Sequence, residues 1–201
     1  MLDLKRQWFK SEEKFIGMTL GRLPITPNQW TISSLFVALL GLYFVINFNF
    51  VAAFVSFLIA GVLDFIDGSV ARAKNMSTNI GAYLDTFLDR YVEGIMLLGF
   101  LFLPLPTIFL PSYVWIFLSL LGSLTTTYAK AAAIEKGLTN KEFKGGLLTR
   151  GERIILISIA FIFLIYSQYY LAMITIILIA LLSIFTSFQR FFSAVKRNKI
   201  I

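Results

Sequence analysis

The stretch Asp64–Asp89, DFIDGSVARAKNMSTNIGAYLDTFLD, carries four aspartates, Asp64, Asp67, Asp85 and Asp89, in an otherwise apolar setting. An uncompensated carboxylate at membrane depth costs about 3 kcal/mol or more, so these groups need a partner, and a divalent cation is the natural one. Asp64 and Asp67 are three residues apart and Asp85 and Asp89 four apart, so on helices each pair occupies one face. The polar segment Asn75-Met76-Ser77-Thr78-Asn79 between them can turn the chain, with Ser77 or Thr78 as N-cap, and set two helices antiparallel. The carboxylate pairs would then face each other. Hard oxygen ligands suit Mg²⁺, Mn²⁺ or Ca²⁺, and four carboxylates suffice for two ions sharing bridging oxygens. Gly68 and Gly81 leave room for a ligand to approach the backbone, and Arg72, two helical turns past Asp64, is placed to hold a phosphate.

The surrounding sequence makes this a membrane site. Hydrophobic residues are 58% of the 201 positions and charged residues 14%, with a mean hydropathy of +0.80. That composition excludes a soluble domain and implies an all-α polytopic membrane protein. Cysteine and histidine are both absent, which removes thiolate sites, zinc-histidine sites and a histidine base. The net charge of +7 does not imply nucleic acid, because the basic residues sit at helix ends and in loops, where anionic lipid headgroups are the simpler partner.

Working outward, six membrane spans are expected at about residues 28–46, 50–73, 79–103, 112–135, 153–167 and 169–190. Residues 1–23 mix Lys5, Arg6, Lys10, Lys14 and Arg22 with Trp8, Phe9 and Phe15, which fits an amphipathic helix lying in the membrane interface and is too charged for a signal-peptide core. A basic tail is expected over 191–201. The chain reads as a single domain over 1–201, with the six-helix bundle at 24–190 and neither internal repeat nor linker. The N-terminal segment, the 74–79 turn, the 135–152 loop and the tail hold most lysines and arginines, whereas the connections near 47–49, 104–111 and 167–168 hold none. By the positive-inside rule, both termini and the aspartates face the cytoplasmic side of the cell membrane.

The spacing Asp64-x2-Asp67-Gly68-x2-Ala71-Arg72-x8-Gly81-x3-Asp85-x3-Asp89 resembles the complete signature of the CDP-alcohol phosphotransferase family. The resemblance implies a metal-dependent transferase that moves a substituted phosphate from a CDP-alcohol to an acceptor hydroxyl and releases CMP. It implies Asp64, Asp67, Asp85 and Asp89 as metal ligands for Mg²⁺ or Mn²⁺, two ions in all, with Asp89 also the catalytic base. A metal-held carboxylate is a poor proton acceptor, which weighs against that second role. Asp67, Gly68, Ala71, Arg72 and Gly81 would form the CDP site. Thr26-Pro27-Asn28-Gln29-Trp30-Thr31 resembles a Pro-Asn-x-x-Thr segment of the family, so Asn28 and Thr31 either help hold the cytidine or shape the start of the first span.

Family members that use inositol phosphate resemble one another in a hydroxyl residue and a lysine on the fourth span, an arginine in the next loop and another on the last span. Thr127, Lys130, Arg150 and Arg190 match that order and spacing, which implies an acceptor-phosphate pocket. The plainer alternative is that these cations snorkel to headgroups. Arg153 is a weaker candidate for that pocket, since beside Glu152 at the start of a span it can equally serve only as an interfacial anchor, and Glu93, one turn past Asp89, either pairs with a lysine or arginine, the favoured structural reading, or stays protonated. The expected donor is a CDP-linked lipid and the expected acceptor inositol 1-phosphate. Rivals within the same chemistry are glycerol 3-phosphate, serine, or CDP-inositol as a soluble donor. A divalent-cation transporter is the rival of another class, disfavoured because the last three spans offer no acidic path. Homodimerisation is expected from the resemblance, helped by the small residues Gly94, Gly99, Ser119 and Gly122.

Overall fold

The computed structural model describes residues 10–138 and 146–198. Seven helices and no strand occur among the described residues: α1 (Lys10–Leu20), α2 (Pro27–Ile46), α3 (Phe50–Ala73), α4 (Asn79–Phe100), α5 (Ser112–Glu135), α6 (Arg150–Ile165) and α7 (Tyr169–Asn198). Three of them, α2, α3 and α7 over Tyr169–Lys196, are long and apolar enough to cross a membrane by length and composition. Residues 1–9 of the expected interfacial helix and 199–201 of the expected tail lie outside the described residues.

Local signals set the helix bounds. Thr26 caps α2 reciprocally: its hydroxyl accepts from Gln29 N at 3.3 Å and its own N–H donates to Gln29 Oε1 at 2.7 Å. Pro27 follows at the first turn, where a missing N–H costs nothing. Asn49 Oδ1 accepts from Ala52 N at 3.1 Å to start α3, and Thr78 Oγ1 accepts from Gly81 N at 3.0 Å to start α4. The turn between them passes through Asn75 at φ 54°, a conformation asparagine tolerates.

Three span bounds differ from expectation by three residues or more. The third span stops at Phe100 rather than 103, because Leu101–Leu103 turn ahead of Pro104. Helix α6 starts at Arg150 rather than 153, since Thr149 and Glu152 form a capping box. The supposed tail from 191 is a continuation of α7 through Asn198, the apolar run Phe191-Phe192-Ser193-Ala194-Val195 offering no stop.

Two compact units divide the chain between Leu103 and Pro104. In the first, α2 packs broadly against both α3 and α4, whereas α3 and α4 meet only slightly. Helix α1 lies on α3, and Gly17 permits it, because a Cβ there would run into the Ser69 carbonyl.

In the second unit α7 packs against α5 and α6. The α5–α7 seam is close enough that a Cβ on Gly122 would stand 2.8 Å from Ile184 N and from Ser183 Cβ. Hydroxyls at the same seven-residue interval tie it: Ser119 Oγ donates to Ile176 O at 3.1 Å and Thr126 Oγ1 to Ser183 O at 3.0 Å. Such polar links between small-residue faces hold helices together where lipid removes the hydrophobic drive. Of the small residues named for helix packing, Ser119 and Gly122 meet α7 and Gly99 meets Val45.

Candidate active site

The Asp64–Asp89 stretch folds as expected into the end of α3, a turn, and the start of α4. Asp64, Asp67 and Asp85 each offer a carboxylate oxygen, and the three lie within 4.8 Å of one another. No other group of three or more candidate ligands occurs among the described residues. Three hard anionic oxygens at this separation fit a divalent cation such as Mg²⁺ or Mn²⁺. Asp89 is not in the trio. It lies one turn, about 6 Å, further along α4, buried beside Arg90, whose Nη2 is 3.8 Å from Asp89 Oδ2. Arg90 also reaches Glu93, Nη1 to Oε2 at 3.4 Å, so Glu93 has the structural partner expected of it.

Helix α2 supplies a contact that was not expected. Thr31, only 3% exposed, donates from Oγ1 to Asp67 Oδ2 at 2.6 Å. One α2 residue thus aims a carboxylate on α3, while also lining the adjacent cavity. The cap at the head of α2 belongs to Thr26, which leaves Asn28 for the cavity.

All the residues expected at the CDP site, Asn28, Asp67, Gly68, Ala71, Arg72 and Gly81, line one cavity of about 130 Å³, and Asp85 joins them. The glycines are spacers. A Cβ on Gly68 would sit 3.1 Å from both Arg72 terminal nitrogens, and one on Gly81 3.2 Å from Asn28 Oδ1. The missing Cβ atoms leave room for the guanidinium and the amide at these positions.

In the second unit, Thr127 and Lys130 are half-buried one turn apart on α5, Arg150 opens α6, and Arg190 lies on α7. Arg190 Nη1 donates to Thr126 O at 2.8 Å, which brings α7's arginine onto the α5 turn that carries Thr127. Arg153 is not an interfacial anchor. It is 1% exposed, with Nη1 3.5 Å from Leu148 O in the segment that leads into α6.

A model of the family described as CDP-alcohol phosphatidyltransferase matches residues 24–188. The chain belongs to this family. Archaetidylinositol phosphate synthase of Pyrococcus horikoshii is 34% identical over 200 residues, 98% of each chain. Phosphatidylinositol phosphate synthase of Mycobacterium tuberculosis, solved with CDP-DAG bound, has the same fold at a TM-score of 0.77 and 24% identity, over 90% of this chain and 92% of that one. Its manganese and citrate complex superposes at a TM-score of 0.79 and 24% identity, over 91% and 88%. The protein is accordingly a transferase of the CDP-alcohol phosphatidyltransferase family and an integral membrane protein.

Proposed function

We propose that the protein transfers the phosphatidyl or archaetidyl group of a CDP-lipid to inositol 1-phosphate, releasing CMP. The observation that carries this reading is the carboxylate trio, two of whose members, Asp67 and Asp85, share a cavity wall with Arg72 and the two signature glycines. Arg72 and the Gly68 and Gly81 backbones hold the pyrophosphate, and Asn28 orients the nucleoside. Asp64, Asp67 and Asp85 hold divalent cations, Mg²⁺ or Mn²⁺, with two as the working number. Bound there, the cations neutralise the pyrophosphate and the charge growing on the departing phosphate. Asp89, one turn beyond the trio, completes the proposed set of metal ligands and takes the proton from the acceptor hydroxyl. The acceptor oxygen bonds to the phosphorus bearing the lipid alcohol as the bond from that phosphorus to CMP breaks.

Thr127, Lys130, Arg150 and Arg190 are the proposed acceptor-phosphate group. Support comes from the name of the Pyrococcus horikoshii relative, similar along nearly the whole chain, and from the concentration of cations on helices of one unit. The family match runs through both units, and we take residues 1–201 as one catalytic domain. The chain crosses the membrane six times through α2–α7, with α1 in the interface and both termini and the site on the cytoplasmic side, as the distribution of lysine and arginine requires.

Acceptor kinetics test the assignment. Loss of one charge-assisted contact to a phosphate is worth roughly 1.5–3 kcal/mol, so Arg150→Ala and Arg190→Ala should raise the acceptor KM about ten- to a hundredfold and leave the donor KM unchanged. Turnover of unphosphorylated inositol or serine in preference to inositol 1-phosphate would refute the acceptor and spare the CDP-dependent chemistry.

A further inference from the structure

The peptide of Leu148, just ahead of α6, is held from both sides. Its N–H donates to Thr186 Oγ1 on α7 at 3.0 Å, and its carbonyl faces Arg153 Nη1 at 3.5 Å. Thr186 is fully buried and its hydroxyl is used twice, since it also donates to Leu182 O at 2.7 Å. One residue earlier, Leu147 N donates to Gln189 Oε1 at 3.2 Å. Gly146 begins the strap at φ +138°, a conformation closed to side chains, and a Cβ on it would press 2.8 Å from the Thr186 methyl and 3.5 Å from Arg190 Nε. The strap therefore runs flat along the turn of α7 that ends in Arg190, and Arg150 follows it directly in the chain.

We propose that Thr186, assisted by Gln189, is a positioning residue for the acceptor: it fastens the Gly146–Thr149 strap to α7 and so fixes where Arg150 stands relative to Arg190. Two cations on different helices can grip one phosphate only if their backbones hold a constant separation, and the strap supplies that constraint. Without it, Arg150 is carried by the N-terminus of α6 with its lead-in loop unfastened, and the pair loses its pre-organised spacing. This inference rests on the reading of Arg150 and Arg190 as acceptor-phosphate ligands.

Steady-state kinetics in both substrates test it on the full-length enzyme. Thr186→Val keeps the shape, removes the hydroxyl and leaves the buried Leu148 N–H without its acceptor, so the KM for inositol 1-phosphate should rise about tenfold with the donor KM unchanged. Thr186→Ser, which keeps the hydroxyl, should restore the wild-type value. Gln189→Leu is a gentler second variant at an exposed position and should raise the acceptor KM about threefold. Amide hydrogen exchange at residues 146–149 should quicken in both weakened variants. An unchanged acceptor KM in Thr186→Val, a rise shared equally by donor and acceptor, or no rescue by serine overturns the proposal. The arginine variants separate its failure from that of the parent reading. If Arg150→Ala and Arg190→Ala raise the acceptor KM while Thr186→Val does not, the strap alone is wrong; if the arginine variants are normal, the acceptor reading falls and the strap's role with it.

Discussion

Thr31 shows how a single side chain constrains the chemistry here. Asp67 sits among carboxylates that repel one another, and a fixed donor on one of its oxygens limits the orientation the group can take toward a cation. Partners of this kind typically change metal affinity by about 10–100-fold when removed. Thr31→Val should accordingly weaken Mn²⁺ binding by about that factor in calorimetry on the purified protein, and Thr31→Ser should largely restore it. Equal affinity in wild type and Thr31→Val would reduce the contact to a helix-packing detail. The residue's place in a Pro-Asn-x-x-Thr segment was legible in the sequence, but its partner was not, because 36 positions separate Thr31 from Asp67 and only the packing of α2 on α3 joins them. Arg153 carries the same lesson in reverse. Next to Glu152 at a span boundary it can pass for an anchor, yet it is buried against the Leu148 carbonyl, a contact that residue type does not announce.

At the scale of elements, the readable features were those with local causes. The caps at Thr26, Asn49 and Thr78 place three helix starts where the sequence puts them, and three of the four aspartates meet because their pairs lie beside one turn. Asp89 lies one turn further along α4, outside that trio. Helix α6 poses the sharpest question of topology. Its 16 residues extend only about 24 Å, short of the roughly 30 Å apolar core of a bilayer. A crossing then relies on tilt of its neighbours, local thinning or the turn at Tyr166 and Ser167 entering the headgroup region. The absence of cysteine makes the crossing easy to examine. Single substitutions Lys136→Cys and Ser167→Cys should react with a membrane-impermeant maleimide from opposite faces, Lys136→Cys from the cytoplasmic face. Labelling of both from one side would remove α6 as a span.

For the whole molecule, the division of the chain into two units matches a division of chemical labour. The unit containing α2–α4 holds the carboxylates and the proposed donor cavity, and the unit containing α5–α7 holds the proposed acceptor cations and the strap proposed to order them. The sequence made the donor half legible because its signature is compact, whereas the acceptor half is spread over 64 positions from Thr126 to Arg190 and is tied by backbone carbonyls that leave no trace in residue type.

The central claim is that the aspartate trio supports cation-dependent transfer from a CDP-lipid. It is tested most directly by CMP release from purified protein given a CDP-lipid and radiolabelled inositol 1-phosphate, with Mg²⁺ or with EDTA, and repeated with Asp67→Asn. The expected result is one CMP per labelled lipid formed in Mg²⁺, none in EDTA, and a loss on the order of a hundredfold or more in Asp67→Asn. Full turnover in EDTA or in that variant would contradict the account.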